Sequence, residues 1–346
     1  MGCNCTTETK KIRISKKIKT EVKPTFNTKY TSSKLMVNKK KCKIQDHNDD
    51  HSLNELYNDI TEASYNSSPA ASIRSARTED VPLSAKWSAW KQALKIEEIY
   101  VTEKYEELKK SKAESKWIET IVEDVARTSL SYPYNTEALE NILTAYSIYN
   151  KEIGYCQGMN YLAGLILIVS DMKEEEAFWA FVSLMEQKLS NEKLQLSGVK
   201  KLFAEGFPLA KLLEHLFEAV LEDNDPILKA HLNSIGFYTE LWLHKWISSL
   251  FLYTFPISYC TAFWDAFLEE GVSFILAITC AILKGLAQGL KSTKTMAECN
   301  KIFNLSNGIL NEFIPNPEEI ISIAKSIKIN WKTLHSITQA HKFCVQ

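Results

Sequence analysis

The sequence predicts an all-α body from about residue 79 to residue 346, behind a basic N-terminal arm. Three observations carry that reading. From residue 83 onward, apolar residues recur at helical spacing almost without break. Prolines stand where helices would begin, as at Pro208, Pro226 and Pro317. No run alternates as a strand does between two-residue turns, and nothing repeats with a period of roughly 20–50 residues.

The arm comes first. Residues 1–45 carry 13 Lys and Arg against 2 acids, a net +11; the rest carries 28 basic and 40 acidic residues, a net −12. A basic arm on an acidic body suggests an attachment device beside a working domain. Residues 46–78 turn to Asp, Asn and Ser without periodicity, so 1–78 reads as disordered. The chain opens Met1-Gly2-Cys3-Asn4-Cys5-Thr6, the pattern for myristoylation of Gly2 after removal of Met1. Cys3 and Cys5 offer thiols for palmitoylation, and Lys10, Lys11, Arg13, Lys16, Lys17 and Lys19 follow. One myristoyl chain binds a membrane only marginally, at about 10⁴ M⁻¹, so a second signal is needed. Each Lys or Arg close to an anionic surface adds about 1 kcal/mol. The arm therefore predicts a cytoplasmic protein, peripheral on the cytosolic face of a membrane. Such a basic run also serves nucleic-acid contact. Phe26 and Tyr30 are the two aromatic residues of the basic segment 1–45, too few for base stacking, so no nucleic-acid partner is expected.

Residues 114–129 and 136–149 have helical spacing. The two most apolar stretches, 161–170 and 271–283, fall short of the ~20 residues that span a bilayer and read as buried core helices. Behind Pro208, Leu209, Leu212, Leu213, Leu216, Phe217, Val220 and Leu221 form one apolar stripe, which stops at Asp223-Asn224-Asp225-Pro226. Asn316-Pro317-Glu318-Glu319 supplies a cap, a proline and first-turn acids, and residues 316–342 read as helix completing the domain. Phe178, Trp179, Trp242, Trp246 and Trp264 are assigned to the interior.

The residue types exclude several chemistries. Eight cysteines and seven histidines are scattered, with no Cys-x-x-Cys pair or Cys/His cluster. No apolar segment follows the start, so reduced thiols, no disulfide and no metal are expected. Gly285-Leu-Ala-Gln-Gly289-Leu-Lys291-Ser292 fails as a phosphate loop, because the second glycine must directly precede the lysine. No Gly-x-Gly-x-x-Gly occurs, so no cofactor of its own is expected. Cys156 lacks an evident His and Asn pair for thiol-protease chemistry.

Two segments say more. Ile121-Val-Glu-Asp124-Val-Ala-Arg127 reads IxxDxxR, and Tyr155-Cys156-Gln157 reads YxQ. Leu143-Thr-Ala-Tyr146-Ser-Ile-Tyr149-Asn150 precedes the second motif and Glu175-Glu176-Ala177-Phe178-Trp179 follows it. Over roughly residues 80–290 the chain resembles the TBC domain of GTPase-activating proteins for Rab-type small GTPases. One departure lies at the start: Lys86 stands where the family's RxxxW motif has Arg, and Asp80 stands at a usual Gly. Arg and Lys pair differently, and the departure bears on packing more than on catalysis.

The resemblance implies a multi-helix TBC-type fold and an activity exerted in trans on a Rab-type GTPase. Arg127 and Gln157 would be the catalytic pair. An Arg inserted beside the transferring phosphoryl group neutralises developing charge and contributes about 10³–10⁵ in rate in related systems. Its guanidinium is planar, permanently charged and spans two oxygens. A Gln amide both donates and accepts, so it can hold the attacking water. Arg127 would lie on a helix burying Ile118, Ile121 and Val125, with Asp124 orienting its guanidinium. Gly158 would allow close approach of backbone, and Tyr155 and Cys156 would line the contact, chiefly by packing and main chain. GTP and Mg²⁺ would come with the GTPase. The alternative is a non-catalytic scaffold that binds a GTPase or effector at a membrane.

Overall fold

A computed structural model describes residues 82–304 and 314–341. The arm, its sites Gly2, Cys3 and Cys5, and Asp80 lie outside the described residues.

The body begins with a 3-10 turn, Leu83–Lys86, that runs into α1 (Trp87–Ala93). Short helices α2 (Ile96–Ile99) and α3 (Lys104–Lys110) lead to α4 (Ser115–Arg127) and α5 (Thr136–Tyr149). Asn135 caps α5 by accepting the Ala138 N–H at 3.2 Å. Next come α6 (Met159–Val169) and α7 (Glu174–Glu186). Three glutamates open α7, where the helix dipole favours negative charge. After a 3-10 turn at Lys200–Leu202 the chain forms α8 (Pro208–Asn224) and α9 (Pro226–Ser234). The break between them is the expected one: Asp225 accepts the Leu228 N–H at 2.9 Å, and Pro226 occupies the first turn of α9. Then follow α10 (Leu243–Ser248), α11 (Ile257–Glu270), α12 (Phe274–Ser292), α13 (Met296–Phe303), α14 (Pro317–Ser326) and α15 (Trp331–Ala340). Among the described residues there is no strand.

Two groups of helices make the core. In the first, α5 packs on α3, α4, α6 and α7. All eleven residues of α6 are buried, so it has no polar face. In the second, α12 packs on α8, α9, α11, α13 and α14. The α12 helix runs to 19 residues, longer than the apolar run 271–283, because Leu286 and Leu290 continue its buried side beyond the exposed Lys284. It is long and apolar enough to cross a membrane by those criteria, and 67% of its most apolar window is buried inside the protein. Its place is the core, as the sequence predicts.

The aromatic residues assigned to the interior are there: Phe178, Trp179, Trp242, Trp246 and Trp264 are all buried. Trp90 stacks on Trp264 with ring centroids 5.3 Å apart. The Trp90 indole donates to Asp265 Oδ1 at 2.6 Å, and Lys86 pairs with Asp265 Oδ2. Lysine at this position thus still ties the start of the domain to α11. The C-terminal segment forms two helices rather than one. The chain breaks at residues 327–330, Asn330 caps α15, and the pair packs on α11, α12 and α8.

Candidate functional site

The site is built where α4 ends. That helix turns Ile121, Asp124 and Val125 inward. Ile118, expected in the same stripe, is 38% exposed. It shares the azimuth of Val125, but helical phase does not say where along a helix its neighbours stop. Asp124 is fully buried at 0% exposure. A buried carboxylate is costly unless charge and hydrogen bonds compensate it. Arg127 meets that need from one side: its Nε donates to Asp124 Oδ1 at 2.8 Å, and its Nη2 reaches the same oxygen. Tyr155 meets it from the other, its hydroxyl donating to Oδ2 at 2.6 Å. The Arg127 side chain nevertheless stays 47% exposed.

Tyr155 belongs to the turn between α5 and α6. Its side chain is buried and supports the site from beneath, which fits an expected role through packing and main chain. Two glycines with positive φ frame the turn, Gly154 at 62° and Gly158 at 104°. A Cβ on Gly154 would stand 2.5 Å from the Trp117 ring, and one on Gly158 would stand 3.0 Å from the Ser248 carbonyl. The turn is therefore pressed between α4 and α10. Gln157 and Cys156, between the glycines, are half-buried. Among the described residues the Gln157 amide takes no hydrogen-bond partner. Burial, and then the charge of Asp124, push the Cys156 thiol up to about 11. It stays protonated near neutrality, which suits packing and not nucleophilic attack.

A hydrogen-bonded chain joins the two motifs a second time. The Gly158 N–H donates to Asn160 Oδ1 at 2.9 Å, and Asn160 Nδ2 donates to Thr128 Oγ1 at 2.6 Å. Thr128 Oγ1 donates to the Asp124 carbonyl at 2.6 Å, and the Tyr134 hydroxyl donates to the Thr128 carbonyl at 2.9 Å. Sequence reading missed Thr128, Tyr134 and Asn160. One signal was present: Asn160 is a lone amide in an otherwise apolar first turn, and a buried amide needs partners. Behind Arg127 lie Tyr161 and Tyr253, packed edge to face with centroids 5.8 Å apart. Burial raises both phenols, Tyr253 to about 12, and the positive charge of Arg127 opposes the rise in each. Among the described residues no group of three or more His, Cys, Asp or Glu could hold a metal ion.

Arginine held by a buried acid, and a glutamine in a glycine-framed turn tied to that acid, are what the two motifs require. Residues 83–291 match the family model of the Rab-GTPase-TBC domain. The chain belongs to the RabGAP-TBC family. The chain is 26% identical over 259 residues to the human "Ecotropic viral integration site 5 protein homolog", covering 73% of this chain and 30% of that protein. It is 38% identical over 146 residues to the Rab GTPase-activating protein eat-17 of Caenorhabditis elegans, covering 42% of this chain and 15% of that one. The chain thus spans less than a third of these relatives' lengths. Two solved structures share the fold. The Chlamydomonas flagellar RabGAP TBC domain superposes with a TM-score of 0.57 at 20% identity, covering 80% of this chain and 90% of that one. The Ypt/Rab-GAP domain of Gyp1p gives 0.56 at 18% identity, over 80% and 93% of the two chains.

Proposed function

We propose that this TBC domain accelerates GTP hydrolysis by a Rab-type small GTPase, supplying Arg127 and Gln157 in trans. One observation carries the reading. The Arg127 side chain is 47% exposed, yet its partner Asp124 is wholly buried. A surface ion pair with both ends in water is worth about 0–1 kcal/mol and fixes little. Here the acid is immobile, so the guanidinium is held along one edge before any partner arrives. Preorganised charge of this kind stabilises a transition state without reorganisation at the moment of reaction. Tyr155 links the same carboxylate to the turn that carries Gln157. Arginine and glutamine are then fixed relative to one another through a single side chain.

In this mechanism Arg127 neutralises charge on the transferring phosphoryl oxygens, and the Gln157 amide orients the attacking water. GTP and Mg²⁺ arrive with the GTPase, and this chain contributes no cofactor. The test is single-turnover hydrolysis by a panel of Rab-type GTPases, with the native protein beside Arg127→Ala. Acceleration of one member, lost in a variant that keeps its fold, supports the catalytic reading. Binding without acceleration across the panel moves the assignment to a scaffold.

The N-terminal sequence supports attachment to the cytosolic face of a membrane through lipid on Gly2, with Cys3 or Cys5 and the basic run as second signals. Confining both proteins to one surface raises their effective concentration, so a weak interface suffices. Gly2→Ala should move the protein into the soluble fraction of cells; unchanged fractionation sinks the anchor.

A further inference from the structure

Several lysines of this domain have acids beside them, although the partly buried Lys95, Lys201 and Lys211 pair with none among the described residues. Lys86 meets Asp265, Lys109 meets Glu174, Lys200 meets Glu186, and Lys229 meets Glu218 and Glu222. Lys245 on α10 does not. Its ammonium sits 4.3 Å from the centroid of the Tyr253 ring and donates to Asn304 Oδ1 at 3.2 Å. Among the described residues no carboxylate pairs with it. Burial alone pushes the Lys245 ammonium down to about 8. A cation kept in such a place costs stability, and features of that kind persist where function uses them.

Its position says what the use is. Tyr253, whose ring faces Lys245, lies within the field of Arg127 and packs on Tyr161, which follows Gln157 on α6. One turn along α10 from Lys245, the Ser248 carbonyl abuts Gly158 of the glutamine turn. Lys245 is therefore connected to both catalytic segments, through one aromatic ring and through one helical turn.

We propose that Lys245 is a third GTPase-contacting residue, whose ammonium receives an anionic oxygen of the bound GTPase–nucleotide complex. This rests on the reading of the domain as a GTPase activator. Two sources offer that oxygen: a carboxylate on the GTPase surface and a phosphate of the nucleotide. Either supplies an acid that the described residues do not place beside the ammonium, so the complex pairs the cation.

The test measures binding of the GTPase accelerated best in the panel, loaded with GDP or with GDP and aluminium fluoride. The native protein, Lys245→Met and Lys245→Arg are compared. Met keeps the length of the chain and removes the charge; Arg keeps the charge. Lys245→Met should melt at a higher temperature than the native protein and bind about tenfold more weakly. Lys245→Arg should bind nearly as the native protein does. Weakening confined to the aluminium fluoride state identifies the nucleotide as the source, and equal weakening in both states identifies a carboxylate. Native affinity of Lys245→Met in both states overturns the proposal, and if Arg127→Ala still abolishes acceleration, the catalytic reading survives it. A panel with neither binding nor acceleration removes both.

Discussion

Tyr155 and Asp124 lie 31 residues apart, and the hydroxyl of one reaches Oδ2 of the other at 2.6 Å. The bond sits in the interior, where a charged acceptor has no water to fall back on. It couples the end of α4 to the turn before α6, and so couples Arg127 to Gln157.

Tyr155→Phe removes one of the two groups that compensate the buried carboxylate. It should cost about 1.5–3 kcal/mol of stability, the usual worth of a hydrogen bond to a charged group. It should also lower the rate of stimulated hydrolysis while leaving affinity for the GTPase near the native value, because Arg127 loses its fixed direction but keeps its charge. Denaturant titration and single-turnover kinetics check the two halves. A native rate in a measurably destabilised variant would mean that Tyr155 serves the fold alone.

Gly154→Ala should be worse than an ordinary glycine substitution. A left-handed φ of 62° costs a residue with a Cβ about 1–2 kcal/mol. The Cβ would also strike the Trp117 ring at 2.5 Å, and overpacking adds about 1–3 kcal/mol. A lowered melting midpoint with the Trp117 ring displaced is expected, and a fully stable variant would show that the ring swings clear.

Asp265 and Lys86 form a pair whose halves differ in worth. Both are partly exposed, so the ion pair itself contributes only about 0–1 kcal/mol. Asp265 also accepts from the buried Trp90 indole at 2.6 Å. Asp265→Ala strands that donor and should cost about 1–3 kcal/mol, whereas Lys86→Ala costs less. Equal losses in thermal denaturation would assign the energy to the ion pair after all.

Lys245 gives stability a pH dependence of predictable sign. Its folded pKa, about 8, lies below the ordinary 10.5. Between those values the unfolded chain binds the proton that the folded chain releases, so this residue makes stability rise with pH across that window. Below about pH 8 its penalty is present in full. The melting difference between Lys245→Met and the native protein should therefore shrink as pH rises from 8 toward 10. A difference that is flat over that range would show the ammonium to be better solvated than its surroundings imply.

The fold was largely legible because helix periodicity is local. The stripe from Leu209 to Leu221 and the caps Asp225 and Asn316 need only near neighbours to be read. The motif residues were legible as well, and their roles in part. Asp124 beside Arg127 follows from helical spacing, but its complete burial depends on what packs over α4. The partner of Tyr155 was not legible, since a turn residue between glycines gives no sign that its hydroxyl points inward to a carboxylate on another helix. Lys245 gave no signal at all. Its character is that no carboxylate among the described residues stands beside it, and a sequence does not display what is missing from a residue's surroundings.

The burial of α6 on every side has a consequence for motion. Amides of a helix with no solvated face exchange their hydrogens only when the domain opens as a whole. Gly158 caps that helix and Gln157 immediately precedes the cap, so the glutamine is mounted on a segment with no solvated face. The backbone of that turn should therefore have little conformational freedom left to lose.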